Sequence, residues 1–291
     1  MRRETESSRT RDFSPRELRT GGSLLGEQLR VPRVEDGTVS EPRHALEAVT
    51  SRIARHFGAN LRGLYLFGSL PAGAFRPGKS DLDLVAVLGA DLQDGAELEA
   101  LTELHSGFVA DHPDWRERVE VGYISHTVLQ TLGETPAGRV AVISPGEPLN
   151  IKDVGAEWIL DWRSVCTQGE TIVGPPPREI GPEITDEAFR RAVELQLEKW
   201  AEDVRAPWVA YVPAHQGYIV VTICRALYAL STGEQTSKGE AVAWAAERFP
   251  AWSDFINDAL ARYRADLTEQ HMATVDFVDY AASEARRLDQ S

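Results

Sequence analysis

A chain of 291 residues with 42 % hydrophobic and 26 % charged side chains has ordinary globular usage, which excludes disorder, collagen-like repeats and a disulfide scaffold. At roughly 150 residues per domain it is long enough for two domains. Its net charge of −14 argues against a general nucleic-acid binder, and no apolar run is long enough to suggest a membrane span.

Residues 1–36 are rich in Arg, Glu, Ser and Gly without steady periodicity and read as a mobile N-terminal extension. No apolar stretch follows the early arginines, so they do not read as a secretory signal. Cys166 and Cys224 form no CxxC pair and read as buried thiols of a reducing compartment, so the expected location is cytoplasmic. Leu46, Val49, Ile53 and Phe57 recur at helical spacing and predict a helix over 42–57. The apolar run 61–67 predicts a buried strand, ended by Gly68-Ser69 and followed by a Gly-, Pro- and Ser-rich loop to Ser80. A second strand is expected over 82–88 and a helix over 98–110. In 118–125, Val119, Val121 and Tyr123 alternate with Arg118, Glu120 and Gly122, the period of a strand.

The segment 144–177 is mixed, with loops at Ser144-Pro145-Gly146 and Pro175-Pro176-Pro177. Trp158 and Trp162 lie four apart within it and read as core packing. Beyond it the pattern is helical. Phe189, Val193, Leu197 and Trp200 share one face of 186–204, and the apolar stretch 215–231 ends before Gly233. Ser237 and Glu240 open 237–249 as a capping box, and helices are expected over 252–263 and 268–287. The expected fold class is α+β: a mixed sheet flanked by helices over 37–178, then an all-α helical bundle over 179–291.

The chemistry concentrates in Gly68-Ser69, eleven further residues, then Asp81-Leu82-Asp83. Residues i and i+2 of a strand point to one face, so Asp81 and Asp83 project two carboxylates together while Leu82 and Leu84 face the other way. Such a pair repels unless a cation sits between its members, and Mg2+ suits carboxylates combined with phosphate oxygens. Gly68 lets the backbone approach a ligand closely, and Ser69 offers an amide and a hydroxyl to phosphate. Glu120 supplies a third carboxylate from the third strand. Three carboxylates at strand ends beside such a turn suit two-metal phosphoryl or nucleotidyl transfer. A lone DxD or GS is common on surfaces; the two joined by a short loop, each attached to an apolar run, are far more specific. GxGxxG, GxSxG and HExxH patterns are absent from the sequence.

These residues resemble the nucleotidyltransferase superfamily shared by DNA polymerase beta and the antibiotic nucleotidyltransferases. The second half is similar to the helical domain of the streptomycin/spectinomycin adenylyltransferases, through Ile219-Val220-Val221, Arg225 to Tyr228, Ser231-Thr232-Gly233, Lys238 and Ala241 to Trp244. The resemblance implies that Gly68, Ser69 and Ser80 contact the nucleotide phosphates and that Asp81 and Asp83 are metal ligands. It implies that Glu120 takes the acceptor hydroxyl proton and also touches metal. Arg225, Lys238 and Tyr263 match helical-domain residues that reach across to the nucleotide. The implied cofactors are Mg2+ and ATP as co-substrate. The implied acceptor is a small hydroxylated molecule of aminoglycoside type, with no nucleic-acid or membrane partner. His215 and Gln216 stand where the family carries an Asp and a Glu facing the drug, so the resemblance does not extend to an acidic contact there. A protein-modifying AMP transferase and a non-catalytic nucleotide binder are the alternative readings; the helical second half opposes the first and the full carboxylate set opposes the second.

Overall fold

The computed structural model describes residues 42–93, 95–205, 213–263 and 271–288, all within the compact unit Val39–Ser291. The extension expected over 1–36 lies outside the described residues, as does Thr268, the expected start of the last helix. The elements in chain order are α1 (Pro42–Phe57), β1 (Leu61–Phe67), β2 (Leu82–Leu88), α2 (Ala96–Asp111), β3 (Val119–Ser125) and α3 (His126–Gln130). There follow β4 (Arg139–Ser144), β5 (Glu147–Asp153), α4 (Glu157–Gln168), β6 (Glu170–Val173) and α5 (Pro177–Ile180). The helical half is α6 (Asp186–Asp203), α7 (Pro213–Thr232), α8 (Lys238–Arg248), α9 (Ser253–Arg262) and α10 (His271–Leu288).

The six strands form one mixed sheet in the order β5-β4-β3-β2-β1-β6. Only β2 and β3 pair in parallel; the other neighbours are antiparallel. A parallel pair needs a crossover, and α2 supplies it. The segment 144–177, irregular in sequence, closes the β4–β5 hairpin at Pro145-Gly146 and then gives α4 and the edge strand β6.

Strand alternation divides the core into two. Leu64, Leu66, Leu82, Leu84, Ala86, Val121 and Tyr123 point to one face and pack with Leu46, Val49 and Ile53 of α1 and Leu101 and Phe108 of α2. Tyr65, Val85, Val87, Ile124, Val140 and Val142 point to the other. There they join Trp158 and Trp162 of α4, and one apolar cluster continues through α6, α7, α8 and α10. The two tryptophans are thus core residues: Trp162 meets Tyr65 edge-on at 5.7 Å between centroids and donates from Nε1 to the Pro182 carbonyl at 3.1 Å. Trp158 lies over Gly122 of β3, where a Cβ would stand 2.3 Å from the indole. Glycine at that position therefore sets how closely α4 approaches the sheet. Cys224 is buried as expected, whereas Cys166 is only half-buried because α4 leaves one edge of it open. Burial raises both thiols, to about 12 and about 11, so neither is a reactive thiolate near neutral pH.

On the α2 face, His105 is 3 % exposed and its Nε2 is hydrogen-bonded to the Tyr123 hydroxyl at 2.7 Å. Burial lowers its pKa to about 4. Between that value and the ordinary histidine range the unfolded chain binds the proton and the folded one does not, so the contribution is whole at neutral pH. It is lost as pH falls from about 6.5 toward 4, with an upper bound of about 3 kcal/mol. Urea unfolding at pH 7, 6, 5 and 4.5 should show a slope that is markedly flatter in His105→Gln; equal slopes in the two proteins would contradict the assignment.

Candidate active site

The acidic strand ends lie on the face of the sheet that α4 and the helical half cover. In β2 and β3, Asp83 is directly in register with Glu120 on the neighbouring parallel strand. On its other side Asp83 is paired with Phe67, the last residue of β1, so the chain turns immediately beside its carboxylate. Gly68 makes that turn with φ +74°, and a Cβ there would fall 2.0 Å from Asp83 Oδ2. Only glycine combines this left-handed backbone with the close approach. The next residue, Ser69, donates its backbone N–H to the Asp83 carboxylate. The turn closes with the Ala74 N–H donating to the Ser69 carbonyl at 2.9 Å.

Ser80 fastens the far end of the loop. Its hydroxyl accepts from the Arg76 N–H at 3.0 Å and its own N–H donates to the Arg76 carbonyl at 2.9 Å. Its carbonyl accepts from Arg118 Nη2 at 2.6 Å, and the Arg118 guanidinium lies 4.5 Å from the centre of the Trp115 ring. These contacts hold Asp81 at the mouth of β2, next to the Arg118 charge.

The carboxylates repel one another in a site of low dielectric. Asp83 is pushed up to about 6, by burial and then by Asp81, against the pull of Lys238 and Arg225 and the Ser69 amide. Glu120 is pushed up to about 7 by burial, then by Asp83 and Asp81, with Lys152 and Lys238 opposing. Asp81 is raised less, since Lys238 and Arg118 offset its burial. Two unlike effects thus meet in one place, desolvation favouring protons and cationic groups favouring charge.

Each cation reaches the site from the helical half for a local reason. Lys238 is the first residue of α8, whose N-cap Ser237 and Glu240 form the expected capping box. Its Nζ donates to the Tyr263 hydroxyl at 3.1 Å and lies 4.7 Å from the Tyr263 ring centre and 5.7 Å from that of Tyr218. Arg225 stands half-buried on α7, and its charge acts on Asp83 and on Asp161 of α4. The structure therefore brings together Gly68, Ser69, Asp81, Asp83, Glu120, Lys238 and Tyr263, with Arg225 in electrostatic reach. Ser80 joins them through its backbone, as the fastener of the loop.

Two residues of this cleft were not singled out by the sequence. Asp161 is held well above the usual carboxylate range, first by burial and then by Glu120, Asp83 and Glu157, with Arg225 opposing. Tyr218 is raised by burial, lies within reach of the charges on Lys238, Glu120 and Arg225, and hydrogen-bonds Thr222. Their only sequence signals are a polar residue between Trp158 and Trp162 and a tyrosine seven before Arg225. The side chain of His215 lies outside the described residues. Gln216 is 5 % exposed and its Nε2 meets no partner.

Among the described residues no three His, Cys, Asp or Glu side chains are gathered into a metal-holding group. What the cleft offers a divalent cation is its donor chemistry: hard carboxylate oxygens, set side by side and mutually repelling.

Residues 179–284 match the family described as "Aminoglycoside adenylyltransferase, C-terminal domain". A curated relative from Shigella flexneri, "Aminoglycoside (3'') (9) adenylyltransferase", is 22 % identical over 268 residues, covering 88 % of this chain and 94 % of the relative. The crystal structure of spectinomycin adenyltransferase AAD(9) from Enterococcus faecialis with ATP and spectinomycin superposes with a TM-score of 0.67. It is 18 % identical, over 83 % of this chain and 99 % of that one. The chain thus shares the fold of that structure, here a mixed sheet with acidic strand ends under a helical layer. The similarity in sequence to aminoglycoside adenylyltransferases spans most of the chain, and the family match falls on its helical half.

Gly68→Ala should cost about 1–2 kcal/mol from its left-handed backbone alone, and more because the new Cβ displaces the Asp83 carboxylate. Urea unfolding checks this; wild-type stability in the variant would contradict the close approach.

Proposed function

We propose that the protein transfers AMP from ATP to a hydroxyl of a small molecule of aminoglycoside type, releasing pyrophosphate, and that it does so in the cytoplasm. The observation that carries this reading is the in-register pair Asp83 and Glu120, next to the Gly68-Ser69 turn and faced by Lys238 and Arg225. The names of the Shigella flexneri and Enterococcus faecialis proteins support the reaction class and the acceptor class.

The sheet half, 37–178, and the helical half, 179–291, act as the two walls of the cleft. Gly68 lets the triphosphate approach the turn closely, Ser69 offers it a hydroxyl while its N–H holds Asp83, and Ser80 keeps the loop that carries Asp81 in place. Lys238 and Arg225 offset the charge that develops on the departing pyrophosphate. Tyr263, hydrogen-bonded to Lys238, fixes the ammonium where it is needed. Glu120 accepts the proton of the acceptor hydroxyl, and burial beside two aspartates makes it a better base than a surface glutamate. Asp81, Asp83 and Glu120 would hold Mg2+, which would neutralise phosphate charge and acidify the attacking hydroxyl. Holding ATP and acceptor between two walls supplies the alignment that an in-line attack on the α-phosphate requires.

The test is mass spectrometry of reactions containing the protein, Mg2+, a nucleotide mixture and a panel of aminoglycosides that includes streptomycin and spectinomycin. A product heavier by one AMP is expected. Asp83→Asn should reduce its formation at least about 100-fold without lowering the melting temperature, because one of the repelling buried charges is gone. Near-normal turnover in that variant would remove Asp83 from the metal site, and absence of any adduct in the wild type would remove the tested acceptors.

A further inference from the structure

The loop between β1 and β2 is held from the sheet and reaches the helical half. Leu70 and Phe75 pack into the face covered by α1 and α2, with Phe75 stacked on Trp115 at 6.3 Å between centroids. The next residue, Arg76, is tied to Ser80 at its N–H and at its carbonyl, by bonds of 3.0 and 2.9 Å. The loop faces the start of α8 across a cavity of about 430 Å3, with Pro71 and Ala72 on one side and Thr236 and Ser237 on the other.

Further along, the Arg76 side chain spans this gap. A Cβ on Gly239, the residue after Lys238, would stand 3.9 Å from Arg76 Nη2. Arg76 is exposed, and among the described residues its guanidinium meets no carboxylate and donates to no acceptor. Glu240, the acidic residue in the first turn of α8, is engaged by Thr236 and Ser237 instead. Arg76 is also not among the cations that act on the strand-end carboxylates, which are Lys238, Arg118, Arg225 and Lys152. Lys238 therefore stands between the two places, with its charge on the carboxylates and its chain neighbour against Arg76. Two cations that meet at one helix start from different halves of the chain repel unless an anion joins them.

The sequence pattern of the loop names a different cation. Gly73, Gly78, Lys79 and Ser80 fit GxxxxGK[ST], in which the lysine reaches the outer phosphates. That pattern acts through free amides ahead of a helix. Here Ser80 leads into β2, and the Lys79 and Ser80 N–H groups both donate to the Arg76 carbonyl. The fold thus turns the role over to the residue whose side chain crosses to α8.

We propose that Arg76 binds the terminal phosphate of the triphosphate, and the pyrophosphate after transfer. The proposal rests on the nucleotide-transfer reading above and deepens it. A guanidinium offers phosphate two parallel N–H donors. A triphosphate whose reacting phosphate lies at Asp83 and Glu120, and whose middle lies at Lys238, brings its far end to Arg76. The Phe75 anchor and the ties to Ser80 fix the backbone of Arg76 before the ligand arrives, so less order is lost on binding. Remote from the reacting end, Arg76 contributes to binding and not to the chemical step.

Calorimetric titration with ATP and with inorganic tripolyphosphate, each with Mg2+ and without acceptor, tests this in the wild type, Arg76→Ala and Lys79→Ala. Arg76→Ala should weaken both ligands at least about tenfold, at an unchanged melting temperature. Lys79→Ala should weaken them less than about threefold. Equal losses in the two variants, as a general surface field would give, overturn the proposal, and so does wild-type affinity in Arg76→Ala. A lowered melting temperature in Arg76→Ala assigns the residue to the fold and overturns it as well. A wild type that binds neither ATP nor tripolyphosphate overturns the nucleotide-transfer reading itself, and the inference with it.

Discussion

The parallel pairing of β2 with β3 is the constraint on which the rest of the molecule depends. It sets Asp83 and Glu120 opposite one another with no freedom of register, because a slip of one residue would turn Val85 and Val87 out of the core. Like charges directly opposite on neighbouring strands destabilise a sheet. The surroundings accept that cost at this one pair and reduce it. The chain turns at Gly68 so that a backbone amide faces Asp83, Lys238 arrives at a capped helix start, and Arg225 projects from a helix that holds no other Lys, Arg, Asp or Glu. Away from this spot the same two strands are continuous apolar runs.

The helical half is bound to this sheet face by an apolar cluster that runs without interruption from Tyr65 and Val87 through Trp162 to Phe189, Val220 and Phe277. Close packing on that scale makes the distance between Lys238 and the carboxylates a property of the core rather than of a surface loop. Gly122 is the narrow point. Because nothing stands between β3 and Trp158, α4 lies low enough on the sheet to bring Asp161 within the field of Glu120 and Asp83.

What could be read in the sequence follows from these same forces. The helix over 42–57 and the strands over 61–67 and 82–88 were legible to the residue, since each pairs one clear period with a strong stop at glycine, proline or serine. The capping box fixed the start of α8, and the pair of motifs around the loop fixed the acidic site. The segment 144–177 was illegible as to type, because β5 alternates weakly and β6 is a short edge strand whose partner, β1, lies far away in the chain. Asp161 and Tyr218 escaped for a different reason. Each is one polar residue in a helix, and its place in the cleft depends on how the helix lies against the sheet. No local pattern in α4 encodes that, because the deciding residue is Gly122, in another element.

The net charge of −14 and the anionic co-substrate of the proposed reaction are opposed in sign, and the cleft resolves the opposition by scale. Exposed charges more than about 10 Å away are largely screened at moderate salt, so the acidic surface contributes little at the phosphates. Within the cleft the field is set by near neighbours. Arg118 and Lys238 act on Asp81, Lys152 and Lys238 on Glu120, and Arg225 on Asp83 and Asp161. Every acidic group at the strand ends therefore has a cationic counterweight from a different element. A triphosphate entering between them competes with the carboxylates for the same cations. Committing Lys238 and Arg225 to phosphate removes the charges that pull Asp83 and Asp161 toward ionisation. The cleft would then hold more repulsion than before, which the cation of the proposed reaction would relieve. On the proposed function, binding of the nucleotide and binding of a divalent ion at these carboxylates would therefore be coupled in the favourable direction.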